Sequence, residues 1–154
     1  MRVAPRAGLF ALVVLVFTLF LAVPASQASA AKPSTVMLQE INKARNAHGL
    51  GSLRGSRSLQ RTARGYAGYM LRRDYFGHLT RIRASRRFRR VGEIIAIHTG
   101  SRLAIRRTVI RWLNSPPHRA VILSSGFRYA GAGTRSGRFH RHRARTWVMH
   151  FGLR

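Results

Sequence analysis

Two histidines and one glutamate are the side chains of this chain best suited to chemistry. His78 closes Tyr75-Phe76-Gly77-His78, Glu93 lies in Val91-Gly92-Glu93-Ile94-Ile95-Ala96, and His118 follows the corner Ser115-Pro116-Pro117. Each histidine comes after small or rigid residues, so each imidazole is expected to project from a turn into a cleft. Two imidazoles and a carboxylate make a workable set for a divalent cation such as zinc, which accepts N and O ligands and keeps an open position at catalytic sites. The same three groups would serve as an acid–base set around a water. They are separated by 15 and 25 positions, with no short ligand motif. On the residues alone, an ordinary hydrogen-bonded histidine is the plainer reading of each. No nucleophile stands out: Ser115 lies three residues before His118 without a placed acid, and no Gly-x-Ser-x-Gly occurs.

The second signal is charge. Lys and Arg number 29 against 3 Asp and Glu, a formal charge of +26, and only Lys32 and Lys43 are lysines. A genome that favours arginine codons explains the Arg/Lys ratio but not the missing acids. Such a charge repels itself and favours polyanions through an attraction that salt weakens. The stretches Arg81–Arg90 and Arg135–Arg145 are candidates for a basic surface that meets anionic cell-wall polymer or lipid. Phe88 and Phe139 are too few for a base-stacking platform, and no specific nucleic-acid motif is present. The plain reading of the three acids Glu40, Asp74 and Glu93 is that each neutralises a nearby arginine. His140-x-His142 is a conceivable metal pair on one side of a strand, with His150 nearby on the next. The arginines around it favour a solvated hairpin instead.

These residues need elements to hold them. Arg2 and Arg6, the apolar run Leu9–Val23 and the small residues ending at Ala30 read as a secretory signal over 1–30, cleaved after Ala30. The alternative is an uncleaved membrane anchor, although the run is short for the about 20 residues a span needs. If the signal is cleaved, no integral span remains. Residues 31–34 read as a linker and 35–154 as one domain without cysteine, so without disulfides.

A helix is expected from near Val36, capped by Ser34 or Thr35, with Met37, Ile41, Ala44 and His48 on one face and Gly49 as its stop. Leu50 and Leu53 are expected as core plugs. Ser58 is the expected cap of a second helix with the stripe Leu59, Ala63, Tyr66, Ala67 and Met70. Val91–Ile97 reads as a strand. Ser101 is the expected cap of a third helix whose inward residues are Ile105, Val109 and Trp112. Pro116 and Pro117 end that helix and a short fourth one follows. Phe127 is another expected plug. Tyr129–Thr134, rich in glycine, suits close packing of another element over it. Trp147, Met149 and Phe151 share one side of a last strand, with a turn expected at Ser136-Gly137. Helices first and paired strands last predict an α+β domain.

The order of these pieces resembles the CAP superfamily: the cysteine-rich secretory proteins, antigen 5 and pathogenesis-related 1 proteins, also called SCP-like. The match is to the cysteine-free bacterial type. It is carried by Ile41-Asn42-x-x-Arg45 with Gly49-Leu50, Leu59-x-x-x-Ala63 with Met70, Phe76-x-His78 and Gly92-Glu93-x-Ile95-Ala96. Trp112-x-x-Ser115-x-x-His118-Arg119-Ala120-x-Ile122-Leu123, Phe127-Arg128-x-x-Gly131-x-Gly133 and Trp147-x-x-x-Phe151-Gly152 complete it. The resemblance implies an α-β-α sandwich with a small, mainly antiparallel sheet, and export from the cell. It also implies a cleft with two histidines and two acids. His78, Glu93 and His118 fall at three of those positions. Ser115 stands at the fourth, and Ile94 stands where an asparagine is usual. The expectation is a secreted, non-enzymatic binding module with a His/Glu cleft and a basic surface. The alternatives are a metal- or His-assisted hydrolase using the same cleft, and a cationic wall- or membrane-associated protein whose cleft has decayed.

Overall fold

The computed structural model describes residues 31–83 and 88–154. The signal expected over residues 1–30 lies outside the described residues, as do residues 84–87 of the arginine-rich stretch. Among those described, the order is α1 (Pro33–Ala47), β1 (Arg54–Gly55), α2 (Arg57–Arg72), β2 (Arg90–Thr99), α3 (Ile105–Leu113), α4 (Pro116–Ile122), β3 (Tyr129–Phe139) and β4 (His142–Leu153). The strands form one sheet ordered β1-β3-β4-β2. β4 pairs antiparallel with β2 and β3, and the two-residue β1 pairs parallel with β3. This is the expected α+β class with a mainly antiparallel sheet.

Alternation along β4 separates two cores, because successive side chains of a strand point to opposite faces. Trp147, Met149 and Phe151 share one face, as expected, and pack with Met37 and Ile41 of α1, Val109 and Trp112 of α3, and Ile122 of α4. Val148 faces the other way and meets Ala63, Tyr66, Ala67 and Met70 of α2 together with Ile95. One helix therefore covers one face of the sheet and three cover the other. α2 sits close because β3 is nearly bare beneath it. A Cβ on Gly131 would run into the backbone of Leu59 and Gln60, and one on Gly133 into that of Ala63 and Arg64. Leu53 and Phe127 are buried as core plugs, and Leu50 is half-buried.

Several local expectations need correction. α1 begins at Pro33, whose missing N–H costs nothing in a first turn, so Ser34 and Thr35 lie inside the helix rather than capping it. Its buried stripe runs Met37, Ile41, Arg45, with His48 exposed. The Arg45 guanidinium donates to the carbonyls of Gly51, Ile122 and Ser124 at 3.1, 2.6 and 2.9 Å, which ties α1 to the end of α4. Ser56, not Ser58, caps α2, accepting from the Leu59 amide. The cap of α3 is Ala104, at φ +41°, and Ser101 instead offers its carbonyl to Arg145 Nε at 2.7 Å.

The hairpin turn is also elsewhere. β3 and β4 are joined by His140-Arg141, at φ +45° and +66°, with Phe139 opposite His142. That is a two-residue turn of the type whose twist matches the strands. Asp74, just past α2, accepts from the His140 amide at 2.5 Å and faces His140 Nδ1 at 3.1 Å. This distant anchor lies on the turn, whereas Ser136-Gly137 is inside the ladder. His140 therefore does not share a strand side with His142. His150 lies eight residues beyond His142 on β4, about 27 Å away at ~3.4 Å per residue.

Candidate functional site

Glu93 is the centre of the site. It lies on the α2 side of β2, directly across from His150 of β4, and its side chain is only 5 % exposed. Its Oε2 accepts from His150 Nε2 at 2.9 Å. Its Oε1 accepts from the Leu79 amide at 3.0 Å and faces His78 Nδ1 at 2.9 Å. Burial opposes ionisation of this carboxyl. The bonds from His150, the Leu79 amide and His78, together with the charge of His150, outweigh it and hold Glu93 below its ordinary range.

His78 is placed by the loop that leaves α2. Tyr66, on the buried face of α2, donates its hydroxyl proton to the Gly77 carbonyl at 2.6 Å. Burial, then Glu93 and the neighbouring Tyr75 and Tyr69, push that phenol up to about 12, so it stays a donor. A side chain at Gly77 would collide with the Tyr75 ring. The imidazole of His78 is more than half exposed at the mouth of the cleft.

His118 reaches the same mouth from the other side of the sheet. Ser115 sits just before α4, and its Oγ lies 2.8 Å from His118 Nδ1. The hydroxyl thus occupies the place where the resemblance implies an acid. The His78 and His118 rings stand 6.5 Å apart, centre to centre, tilted by 40°. Burial, and then the nearby His78, hold His118 below the usual imidazole range. Nδ1 of both rings is engaged, while Nε2 of both has no hydrogen-bond partner among the described residues.

The structure therefore gathers His78, Glu93 and His118 and adds a fourth residue, His150. Its ring is fully buried, with Nδ1 2.8 Å from Thr62 Oγ1 of α2. That hydroxyl also lies 3.0 Å from the Leu59 carbonyl. The signal for His150 was available in the alternation of β4, which turns it away from Trp147, Met149 and Phe151 into the second core. A polar residue there needs a partner.

For a divalent cation the fit is partial. Both Glu93 oxygens already accept hydrogen bonds, and among the described residues no group of three or more His, Cys, Asp or Glu is arranged to hold a metal. A cleft of about 890 Å³ opens beside His78 and Glu93, lined also by Leu79, Arg81, Arg83 and Phe88, with His118 outside its lining. Its two arginines add positive charge that disfavours a cation.

The plain reading of the acids, preferred for Glu40, is that each neutralises an arginine; the structure shows none of the three doing so. Glu40 pairs with Lys43 at 2.6 Å, Asp74 with His140, and Glu93 with His78 and His150. Among the described residues no arginine is paired with an aspartate or glutamate side chain.

A helix alone on one face of a four-stranded sheet, three helices on the other, and a histidine–glutamate mouth between them define the class. The chain belongs to the CAP, or cysteine-rich secretory protein, family, whose sequence pattern matches residues 38–151. Solved structures agree in fold. An outer surface protein from Borrelia burgdorferi is 23% identical with a TM-score of 0.62, over 78% of this chain and 91% of that one. An extracellular SCP-domain protein from Bacillus anthracis is 21% identical with a TM-score of 0.62, over 79% of this chain but 40% of that one. A venom allergen-like protein from Schistosoma mansoni is 11% identical with a TM-score of 0.61, over 79% and 88%. No curated protein matches the chain by sequence. Among the described residues no helix is long and apolar enough to cross a membrane.

Proposed function

We propose that this CAP domain is an exported binding module for anionic polymers of the cell exterior, and not an enzyme. One observation carries the reading: no described arginine is paired with an aspartate or glutamate, so nearly all the guanidinium charge is uncompensated by acidic side chains. Arginine forms paired, planar bonds to phosphate and carboxylate, so this surface is suited to anionic partners. Likeness to an outer surface protein and an extracellular protein supports export, as does the signal-like sequence of residues 1–30. The test is binding of the purified protein to an anionic wall polymer across a salt series. Affinity should fall steadily as salt rises. Affinity indifferent to salt, or no binding at low salt, sinks the reading.

A hydrolase is the second reading, favoured by the two imidazoles with unengaged Nε2 atoms 6.5 Å apart by ring centre. In it His78 and His118 act as an acid–base pair around a water, or hold a divalent cation such as zinc, while Glu93 orients His78 rather than ligating. Calorimetric titration with zinc, calcium and magnesium, with His118→Ala as control, checks this. Binding lost in the variant raises the hydrolase. No binding in either protein leaves a decayed cleft on a cationic protein.

A further inference from the structure

We infer that the outer face of α2 takes the polymer, and that the polymer's phosphate groups seat on Arg72 and Arg135 above Gly68; this rests on the anionic-polymer reading above. Positions 57, 61, 64, 68 and 72 fall on one stripe of a helix. Arg57, Arg61, Arg64 and Arg72 are all exposed there, and α2 contains no acid. From Arg57 to Arg72 the stripe runs about 22 Å at ~1.5 Å per residue.

Gly68 interrupts the arginines and is itself buried, covered by Arg72 of the stripe and by Arg135 of β3. Measured from where a Cβ would sit on Gly68, Arg72 Nη1 lies at 2.9 Å and Arg135 Nε at 3.7 Å. Two guanidiniums from different elements thus converge on one point. Neither has an ion-pair partner among the described residues. Like charges held together repel, and an anion with several acceptor oxygens is the ligand that turns this arrangement favourable. One turn back, Gly65 leaves open space on the same side of the helix. The result is a shallow track with an arginine pair at one end and three more arginines along it.

A linear phosphate polymer fits such a line. A membrane surface fits less well, since it favours a plane with apolar side chains. The exposed aromatics Tyr69, Tyr75 and Phe76 lie beside and beyond the C-terminal end of the stripe, not along it. On α3 the exposed Arg106, Arg107 and Arg111 surround the exposed apolar Ile110 and form no comparable row.

The experiment measures binding of the full chain to linear inorganic polyphosphate over a salt series. Arg72→Gln/Arg135→Gln is compared with Arg106→Gln/Arg107→Gln, which removes the same charge from α3. The expected result is at least a tenfold loss for the α2 pair. Its salt slope should shrink by about 0.7 per contact removed. The α3 pair should stay within twofold of the parent. Arg72→Lys/Arg135→Lys keeps the charge without the planar fork and should still lose several-fold. All four arginines are exposed, and an unchanged urea midpoint confirms that the variants fold. Equal losses from α2 and α3, or no loss for the lysine pair, overturn this surface while leaving the anionic-polymer reading intact. A parent protein that binds no polyphosphate at low salt removes that reading and this inference together. Tighter binding to phosphatidylglycerol vesicles than to polyphosphate, lost in the same α2 pair, overturns the polymer in favour of lipid.

Discussion

Around Glu93, one carboxylate accepts from a backbone amide and faces two imidazoles, all within 3.0 Å. On the outer face of α2, a short distance away, four exposed arginines and a fifth from β3 face no carboxylate at all. Both regions belong to one chain with three acids. The difference teaches how this fold uses charge. At the sheet beneath α2 the one buried acid is fully satisfied. Along the exposed α2 stripe no acid is supplied, and neutralisation is left to solvent and partners.

The largest effect expected from breaking this contrast is at Glu93. Glu93→Ala leaves His150 and the Leu79 amide buried without their acceptor and should cost about 3 kcal/mol, as when one member of a buried pair is removed. Urea unfolding measures it, and a loss under 1 kcal/mol would show that the cluster is not structural. Thr62→Val removes the hydroxyl beside the other nitrogen of His150 and should cost about 1–2 kcal/mol by the same assay.

Acid sharpens the comparison next. The carboxyl of Glu93 is held below its ordinary value of 4.5, so its contribution is complete above that value and is lost as pH falls through the lower folded value. His118, held below 6.5, resists its proton in the fold, so acidification below 6.5 also lowers stability. The urea midpoint should therefore fall below pH 6.5 and more steeply below 4.5. Glu93→Gln should flatten only the lower limb, and an unchanged lower limb would clear Glu93 of the effect. The smallest change is expected on α2. Arg57→Gln/Arg61→Gln/Arg64→Gln should move stability by no more than about 0.5 kcal/mol, and upward, since it relieves self-repulsion. A clear loss there would mean that these arginines hold the fold.

What could be read from the chain followed from local pattern. The stripe Leu59, Ala63, Tyr66, Ala67 and Met70 is buried as its spacing requires. The alternation of Trp147, Met149 and Phe151 has one core face, and Gly131 and Gly133 lie under a helix. Some misses are local choices between neighbouring residues, and others depend on contacts distant in sequence. A serine near a helix start is a weak guide when Pro33 can open the helix without it. The turn at His140-Arg141 is fixed by Asp74, 66 positions away. At the site, family likeness pointed to His78, Glu93 and His118. It was silent on His150, which the alternation of β4 marks as facing the second core but whose partner is set by the register that puts it opposite Glu93.

Arg45 has a consequence for how the protein meets an acidic environment. Its buried guanidinium grips three backbone carbonyls, and a carbonyl has no proton to gain in the range where carboxylates do. The join between α1 and α4 is thus a fastening that acid does not undo. Glu93, beneath α2, is the fastening that acid does. As pH falls through the carboxylate range, the Glu93 cluster beneath α2 should give way while the Arg45 join between α1 and α4 holds.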